Sequence, residues 1–103
     1  MTIATLTPAE ARVQIAQGAR LIDIRDADEY AREHIPDAEL VPLAALNNGA
    51  MLRTAADETV IFHCQAGSRT QNNAIRLLAA AAPAQVKLLA GGIQAWKAAG
   101  LPV

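Results

Sequence analysis

The 103-residue chain is poor in cysteine, in aromatic residues and in excess charge: it has one cysteine, three aromatic residues and a net charge of −1. A single cysteine excludes a disulfide within the chain and is consistent with a reducing compartment. Because that cysteine and the two histidines, His34 and His63, lack the spacing of a metal-ligand set, we expect neither a metal nor another cofactor. The balanced charge leaves no electrostatic footprint for nucleic acid or for an anionic membrane surface.

Long apolar runs are absent as well. No stretch reaches the roughly 18 residues that a transmembrane helix needs, and residues 1–6 lack the basic start and apolar core of a signal peptide. The chain as given is therefore predicted to be soluble and cytoplasmic, with no membrane contact of its own. Its length has room for one domain, residues 1–103, with a single core built from Ala, Leu, Ile and Val.

Short apolar segments alternate with helical patterns along the chain. Strands are predicted at 21–25, 38–41, 59–63 and 86–89, and helices at 8–17, 27–33, 69–82 and 93–99, with a helical turn at 42–46. The longest helix should bury Ala74, Ile75, Leu78 and Ala82. This alternation predicts an α/β fold with a mostly parallel sheet of four to five strands and helices on both faces.

Cys64 ends the strand at 59–63 and opens a loop of small residues before a helix. A lone cysteine beside Val, Ile and Phe is usually a small buried hydrophobe, but the residues that follow argue for a reactive one. Backbone N–H groups in such a loop converge on one point and hold an anion, and the thiolate is the reactive form of cysteine. Since sites lie beyond the carboxyl ends of parallel strands, Asp23 and Arg25, which finish another strand, should lie at the same edge.

Three charged or titratable residues near this edge have two interpretations each. Arg69 either faces a substrate anion or pairs with Asp23 or Glu29. Arg25 is better interpreted as a structural ion-pair partner than as a catalytic group. His63 precedes the cysteine on the strand, so its side chain should point away from the sulfur and is a poor candidate for a general base.

Five stretches of the chain carry a family resemblance. They are LIDIR at 21–25 with Glu29-Tyr30, HIPDA at 34–38, VIFHCQAGSRT at 60–70, LLAGGIQAW at 88–96 and GLPV at 100–103. Each is a weak signal alone, but all five occur in family order over nearly the whole chain. On these residues the chain resembles a rhodanese domain, the sulfurtransferase module that carries sulfur as a cysteine persulfide.

The resemblance implies a rhodanese-like fold and a set of site residues. Cys64 would be the nucleophile, and the persulfide would be held by the loop residues Gln65, Ala66, Gly67, Ser68, Arg69 and Thr70. Asp23 and Arg25 would support the loop from behind. The implied reaction takes a sulfane sulfur from thiosulfate or another small donor and gives it to a thiophilic acceptor, cyanide or a thiol; a protein acceptor is a further option.

The length and composition of the loop indicate which reaction and which sulfur donor the site favours. Phosphatases and arsenate reductases of the same fold have five residues between cysteine and arginine, whereas four separate Cys64 from Arg69 here, which disfavours phosphatase action. Members that prefer thiosulfate often carry a basic residue inside the loop. Gln65, Ala66 and Ser68 are uncharged, so low-molecular-weight persulfides or a protein donor stay open.

Two further alternatives concern the role of the whole chain. A sulfur or redox relay with slow small-molecule turnover would use an accessible, low-pKa thiol without a resolving cysteine; an inactive interaction module is disfavoured because the cysteine is present. Among subgroups, the chain is most similar to the N-terminal soluble domain of bacterial membrane-anchored rhodaneses, which carry two transmembrane helices after this point. It is either a free single-domain relative or part of a longer protein held at the cytoplasmic face of the inner membrane.

Overall fold

Every hydrogen-bonded strand pair between residues 3 and 103, the residues that the computed structural model describes, is parallel. The strands are β1 (Ala4–Leu6), β2 (Arg20–Asp23), β3 (Glu39–Leu40), β4 (Thr59–His63) and β5 (Gln85–Leu89). They form one sheet in the order β1-β5-β4-β2-β3. The predicted α/β class and parallel sheet are confirmed, and β1 is the strand that the sequence pattern left unassigned. Met1 and Thr2, part of the N-terminal segment tested for a signal peptide, lie outside the described residues.

Six helices surround the sheet in the described part of the chain. They are α1 (Pro8–Ala16), α2 (Ala27–Arg32), α3 (Leu43–Asn47), α4 (Ser68–Asn72), α5 (Ala74–Ala81) and α6 (Gly92–Ala98). None of these helices between residues 3 and 103 has the length and hydropathy that crossing a bilayer requires.

Capping boxes begin the first two helices. In α1, the Thr7 hydroxyl accepts from the Glu10 N–H at 3.2 Å, and the Glu10 carboxylate accepts from the Thr7 N–H at 2.9 Å. The backbone hydrogen bond from Thr7 lowers the pKa of Glu10. Asp26 and Glu29 make the same reciprocal pair at α2. Each box satisfies two N–H groups that a helix start leaves without partners, and the second one places Glu29 on α2 with a fixed backbone.

The two faces of the sheet are covered by different helices. On β4, Val60 and Phe62 belong to one core cluster, which also contains Leu77 of α5 and Leu46 of α3. The intervening Ile61 belongs to the other cluster, with Ile93 and Trp96 of α6 and Ala11 of α1. This alternation is the period-two pattern of a strand buried on both sides. The same alternation continues past the end of β4, so the Cys64 side chain points to the face of the sheet that Phe62 covers and lies in the same cluster.

The helix predicted at 69–82 is two helices, and the break is at Asn73. This residue has φ −120° and ψ 20°, and its side-chain amide donates to the Arg69 carbonyl at 2.8 Å. Asn side chains compete with the helical hydrogen bonds of the backbone in this way. The break leaves α4 only five residues long, so a helix dipole adds little at the loop.

The residues of α5 that face the core also differ from the prediction. Ile75 is 84% exposed and Ala82 is exposed as well, so their predicted inward orientation is wrong. The buried residues of α5 are Leu77, Ala80 and Ala81, while Ala74 and Leu78 are half-buried against the same cluster. Four of the eight residues of α5 are alanines, which fit either face of a helix, and the inner face follows the spacing 74, 77, 78 and 81 instead of the predicted one.

Candidate active site

The Cys64 sulfur lies inside the loop that follows β4. Gly67, with φ +100°, turns the chain so that its N–H donates to Sγ at 3.1 Å. The Thr70 hydroxyl oxygen lies 4.0 Å from the sulfur and donates to the Gly67 carbonyl at 3.0 Å. Glycine is the residue that adopts this left-handed conformation without steric cost, so the loop depends on Gly67 for its amide–sulfur contact.

Other N–H groups of this loop have no acceptor. Within residues 3–103, the amides of Gln65, Ala66, Ser68 and Arg69 make no hydrogen bond to a backbone or side-chain acceptor. Unbonded amides on a tight loop are suited to holding an anion. Of the cradle expected from the sequence, the structure places one amide on the sulfur and four unbonded amides in the same loop.

The start of α6 holds the carbonyl side of this loop. Ile93 N–H donates to the Cys64 carbonyl at 3.0 Å, and Gln94 N–H donates to the Gln65 carbonyl at 3.1 Å. The contact is close, since a Cβ on Gly92 would lie 2.4 Å from the Cys64 oxygen and 2.6 Å from the Gln65 oxygen. Sequence reasoning assigned no part of the site to α6, although the Gly91-Gly92 pair was a signal of close backbone approach.

The thiol itself is covered. Cys64 has 0% exposed surface and packs in the core cluster of Phe62 and Leu77. The expectation of an accessible thiol is therefore wrong for this conformation, because the strand delivers the side chain to the core face and the loop closes over it. The residue combines the burial of a structural cysteine with a hydrogen bond to its sulfur.

Asp23 and Arg25 form a buried ion pair behind the loop. The Asp23 carboxylate accepts from Arg25 Nη2 at 2.8 Å and from its Nε at 3.1 Å. Arg25 also donates through Nη1 to Gln65 Oε1 at 3.1 Å and through Nη2 to the Glu33 carbonyl at 2.7 Å. The pair thus connects the end of β2 to the residue after the cysteine.

His63 is enclosed between this ion pair and the loop backbone. Its Nδ1 lies 3.1 Å from the Cys64 carbonyl, and its Nε2 lies 3.5 Å from Asp23 Oδ2 without forming a hydrogen bond. Burial lowers the pKa of His63, and the nearby Asp23 charge opposes that shift only in part. The ring touches the backbone of Cys64 and makes no hydrogen bond to its sulfur, so nothing here gives it the role of a general base.

Arg69 pairs with Glu29, one of the two partners that the sequence left open. Arg69 Nη1 donates to Glu29 Oε1 and Nη2 donates to Oε2, each at 2.8 Å. These bonds lower the pKa of Glu29 to about 2 and raise the pKa of Arg69. The bidentate pair connects α2 to the start of α4, directly after the loop.

A cavity of about 270 Å³ opens beside the loop and is lined by Arg25, Glu29, Arg32, Glu33 and Gln65. Arg32 and Glu33 were not singled out from the sequence, because only the packing of α2 brings them to residue 65. A larger cavity of about 400 Å³ lies at the amino-terminal end of β4, lined in part by Gly18 and Thr59, and contains no residue of the loop. Within residues 3–103, no three His, Cys, Asp or Glu side chains are grouped as a metal site.

Comparison with known proteins shows which family this chain resembles in sequence. The model of the rhodanese-like domain matches residues 7–99. An uncharacterised protein of Synechocystis is 39% identical over 102 residues, which cover 99% of this chain and 55% of that protein. A sulfurtransferase of Allochromatium vinosum is 33% identical over 92 residues, covering 89% of this chain and 84% of that protein.

A solved structure agrees with these sequence matches. The thiosulfate sulfurtransferase of Pseudomonas aeruginosa superposes with a TM-score of 0.79 at 27% identity, covering 98% of this chain and 19% of that one. The chain spans about half of the Synechocystis relative, so that whole protein is larger than the region compared. Because the family model covers residues 7–99, the chain belongs to the rhodanese-like domain family.

Proposed function

We propose that this chain is a sulfurtransferase that takes a sulfane sulfur onto Cys64 and passes it to a thiophilic acceptor. The observation that carries the proposal is the Gly67 amide 3.1 Å from Sγ, in a loop where four more amides have no acceptor among residues 3–103. Such donors stabilise negative charge on a sulfur at the tip of Cys64. The kinship with proteins named sulfurtransferases supports the same reaction class.

The reaction proceeds in two displacements. With thiosulfate, the Cys64 thiolate attacks the outer sulfur, the S–S bond of the donor breaks, and its electron pair leaves with sulfite. Cys64 then carries a terminal anionic sulfur, Cys–S–S⁻. Cyanide or a thiolate attacks that terminal sulfur, forms thiocyanate or a new persulfide, and restores the Cys64 thiolate. Two separate half-reactions predict ping-pong kinetics.

The burial of the sulfur adds a conformational requirement. Since Cys64 has no exposed surface, a donor contacts it only after a local displacement of the loop at 65–69. The redox-relay alternative needs the same displacement, because it also depends on an accessible thiol. A phosphatase reaction is disfavoured by the loop length and also by the Arg69 guanidinium, which is bonded to Glu29.

Intact-mass measurement tests the proposal. Incubation with thiosulfate should add one sulfur, about 32 Da, and excess cyanide should remove it again. Cys64→Ala should show neither the mass gain nor thiocyanate formation, whereas Ile75→Ala, on the exposed face of α5, should behave as the parent. Normal turnover in Cys64→Ala would refute the role of the cysteine.

A further inference from the structure

The cavity beside the loop contains charges of both signs, and they are not equally available to a ligand. Its charged lining residues are Arg25, Arg32, Glu29 and Glu33, with Gln65 completing it. Gln65 directly follows Cys64 in the sequence, so the cavity adjoins the loop that covers the nucleophile, and a bound molecule reaches the sulfur once the loop at 65–69 is displaced. The hydrogen-bond partners of each charged side chain show which of these side chains are free to bind a ligand.

Of the cavity's two cations, one is already engaged. Arg25 is 3% exposed and donates to Asp23, to Gln65 and to the Glu33 carbonyl. Arg32 is exposed and makes no ion pair or side-chain hydrogen bond with any residue from 3 to 103. A carboxylate that enters the cavity therefore meets the guanidinium of Arg32, which is suited to binding it with two hydrogen bonds.

The two carboxylates of the cavity differ in the same way. Both oxygens of Glu29 accept from Arg69. Glu33 accepts from Lys97 through Oε1 at 2.8 Å, and its Oε2 has no hydrogen bond within the described residues. Glu33 is thus the carboxylate that can accept from an incoming ammonium group.

We propose that this cavity binds a small persulfide that carries both a carboxylate and an ammonium group, and that such an amino-acid persulfide is the sulfur donor. Arg32 binds the carboxylate and Glu33 binds the ammonium. This inference rests on the proposed function of Cys64. Thiosulfate, a small dianion, would have no ammonium for Glu33 and would meet two carboxylates beside the one available cation.

The transfer balances without a further reactant. The Cys64 thiolate attacks the outer sulfur of R–S–SH, the S–S bond breaks, and the electron pair leaves on R–S⁻. Cys64 then carries –S–SH, whose proton is the one that the donor brought. No oxidant or reductant is consumed, because one sulfane sulfur is exchanged between two thiols.

Donors that lack one charge at a time test the assignment. The probes are cysteine persulfide with both groups, N-acetylcysteine persulfide without the ammonium, cysteamine persulfide without the carboxylate, and thiosulfate. The measured quantity is the second-order rate constant for the mass gain of about 32 Da on Cys64. Cysteine persulfide should react fastest of the three persulfides, by about five- to tenfold for each charge that the other donors lack.

Two variants should remove these preferences separately. Arg32→Gln should slow cysteine and N-acetylcysteine persulfides but leave cysteamine persulfide unchanged. Glu33→Gln should slow cysteine and cysteamine persulfides but leave N-acetylcysteine persulfide unchanged. Lys97→Gln is the matched control, since it breaks the Lys97–Glu33 pair while keeping the carboxylate, and it should preserve the donor order.

The outcomes separate this inference from the function on which it rests. If no donor adds sulfur to Cys64, the proposed function fails. If Cys64 gains sulfur but the three persulfides react alike, or the two variants slow all of them equally, the sulfurtransferase stands and the assigned donor class is wrong. A parent rate that is highest with thiosulfate would overturn the donor class as well.

Discussion

At the scale of single residues, Arg25 connects a buried charge to the loop that follows Cys64. It is 3% exposed, yet its guanidinium is satisfied by the Asp23 carboxylate, the Gln65 side chain and the Glu33 carbonyl. A buried charge is tolerated only when its hydrogen bonds are made. The planar fork of arginine makes all of them from one position, which lysine cannot reproduce.

Arg25→Lys should therefore lower both stability and sulfur loading. Loss of the forked contacts should reduce the free energy of unfolding by about 2 kcal/mol, and loading of Cys64 should slow because Gln65 loses its anchor. Urea denaturation and the loading rate measure the two effects. Arg12→Lys, at an exposed position of α1, is the control and should change neither quantity. A loading rate equal to that of the parent would show that Gln65 needs no support from Arg25.

The residues of the candidate site are predictable from the sequence to different degrees. Cys64 and its loop are contiguous, so their composition alone indicated an anion-holding turn. The Arg69 partner stayed open between Asp23 and Glu29, because those residues are 40 or more positions away and only the placement of α2 decides between them. Arg32 and Glu33 gave no local signal at all, since an exposed charge at a helix end is usually just solvated.

At the scale of elements, α6 shapes the loop through its first residues. The amides of Ile93 and Gln94 hold the Cys64 and Gln65 carbonyls, and the backbones approach so closely that residue 92 has no room for a side chain. Gly67 also packs closely against the residue before α6, since a Cβ at Gly67 would lie 3.1 Å from the Gly91 nitrogen. Main-chain contacts with the start of α6 therefore hold the loop from one side, in addition to the Arg25–Gln65 hydrogen bond.

Gly92→Ala should disrupt this arrangement. Its methyl group would collide with two backbone oxygens at a residue with φ +61°, which should cost about 2–4 kcal/mol of stability and abolish loading in the molecules that still fold. Thermal unfolding and intact mass report the two effects. The matched control is Gly18→Ala, where φ is +106° but no atom lies within 4 Å, so about 1 kcal/mol of backbone strain is expected with normal loading. Full loading of folded Gly92→Ala would contradict the argument.

The elements themselves were largely predictable, and the exceptions have physical causes. Capping residues fixed the starts of α1 and α2, and apolar β-branched runs indicated β2 and β4. Strand β1 has three residues, which is too short for any periodicity to appear. The break at Asn73 depends on a side-chain hydrogen bond to Arg69, and a pattern of apolar residues carries no information about it.

At the scale of the whole molecule, the parallel sheet brings distant segments to one edge. Asp23 and His63 are direct neighbours in register at the ends of β2 and β4, and α6 follows from the end of β5. The Arg69–Glu29 pair then connects α2 to α4 across this edge. The site is therefore assembled by topology, and its ion pairs contribute to the stability of the complete fold.

The pH dependence of unfolding should reveal the Arg69–Glu29 pair. The folded-state pKa of Glu29 is about 2, against 4.5 for the free side chain, so its stabilisation is present above pH 4.5 and is lost as the pH falls toward 2. Because Arg69 is 36% exposed, the contribution should be at most about 1 kcal/mol. Urea unfolding at several pH values should show that Glu29→Gln loses less stability than the parent across this window. Parallel curves for the two proteins would contradict the pairing.

The lone cysteine gives the molecule a fixed stoichiometry. Under the proposed function, these 103 residues carry one transferable sulfur atom on Cys64 and contain no second thiol that could discharge it. An excess of acceptor should then release a burst whose amplitude counts the competent molecules, as an acyl-enzyme burst counts active centres. The fraction of any preparation that is able to work can thus be read from a single titration.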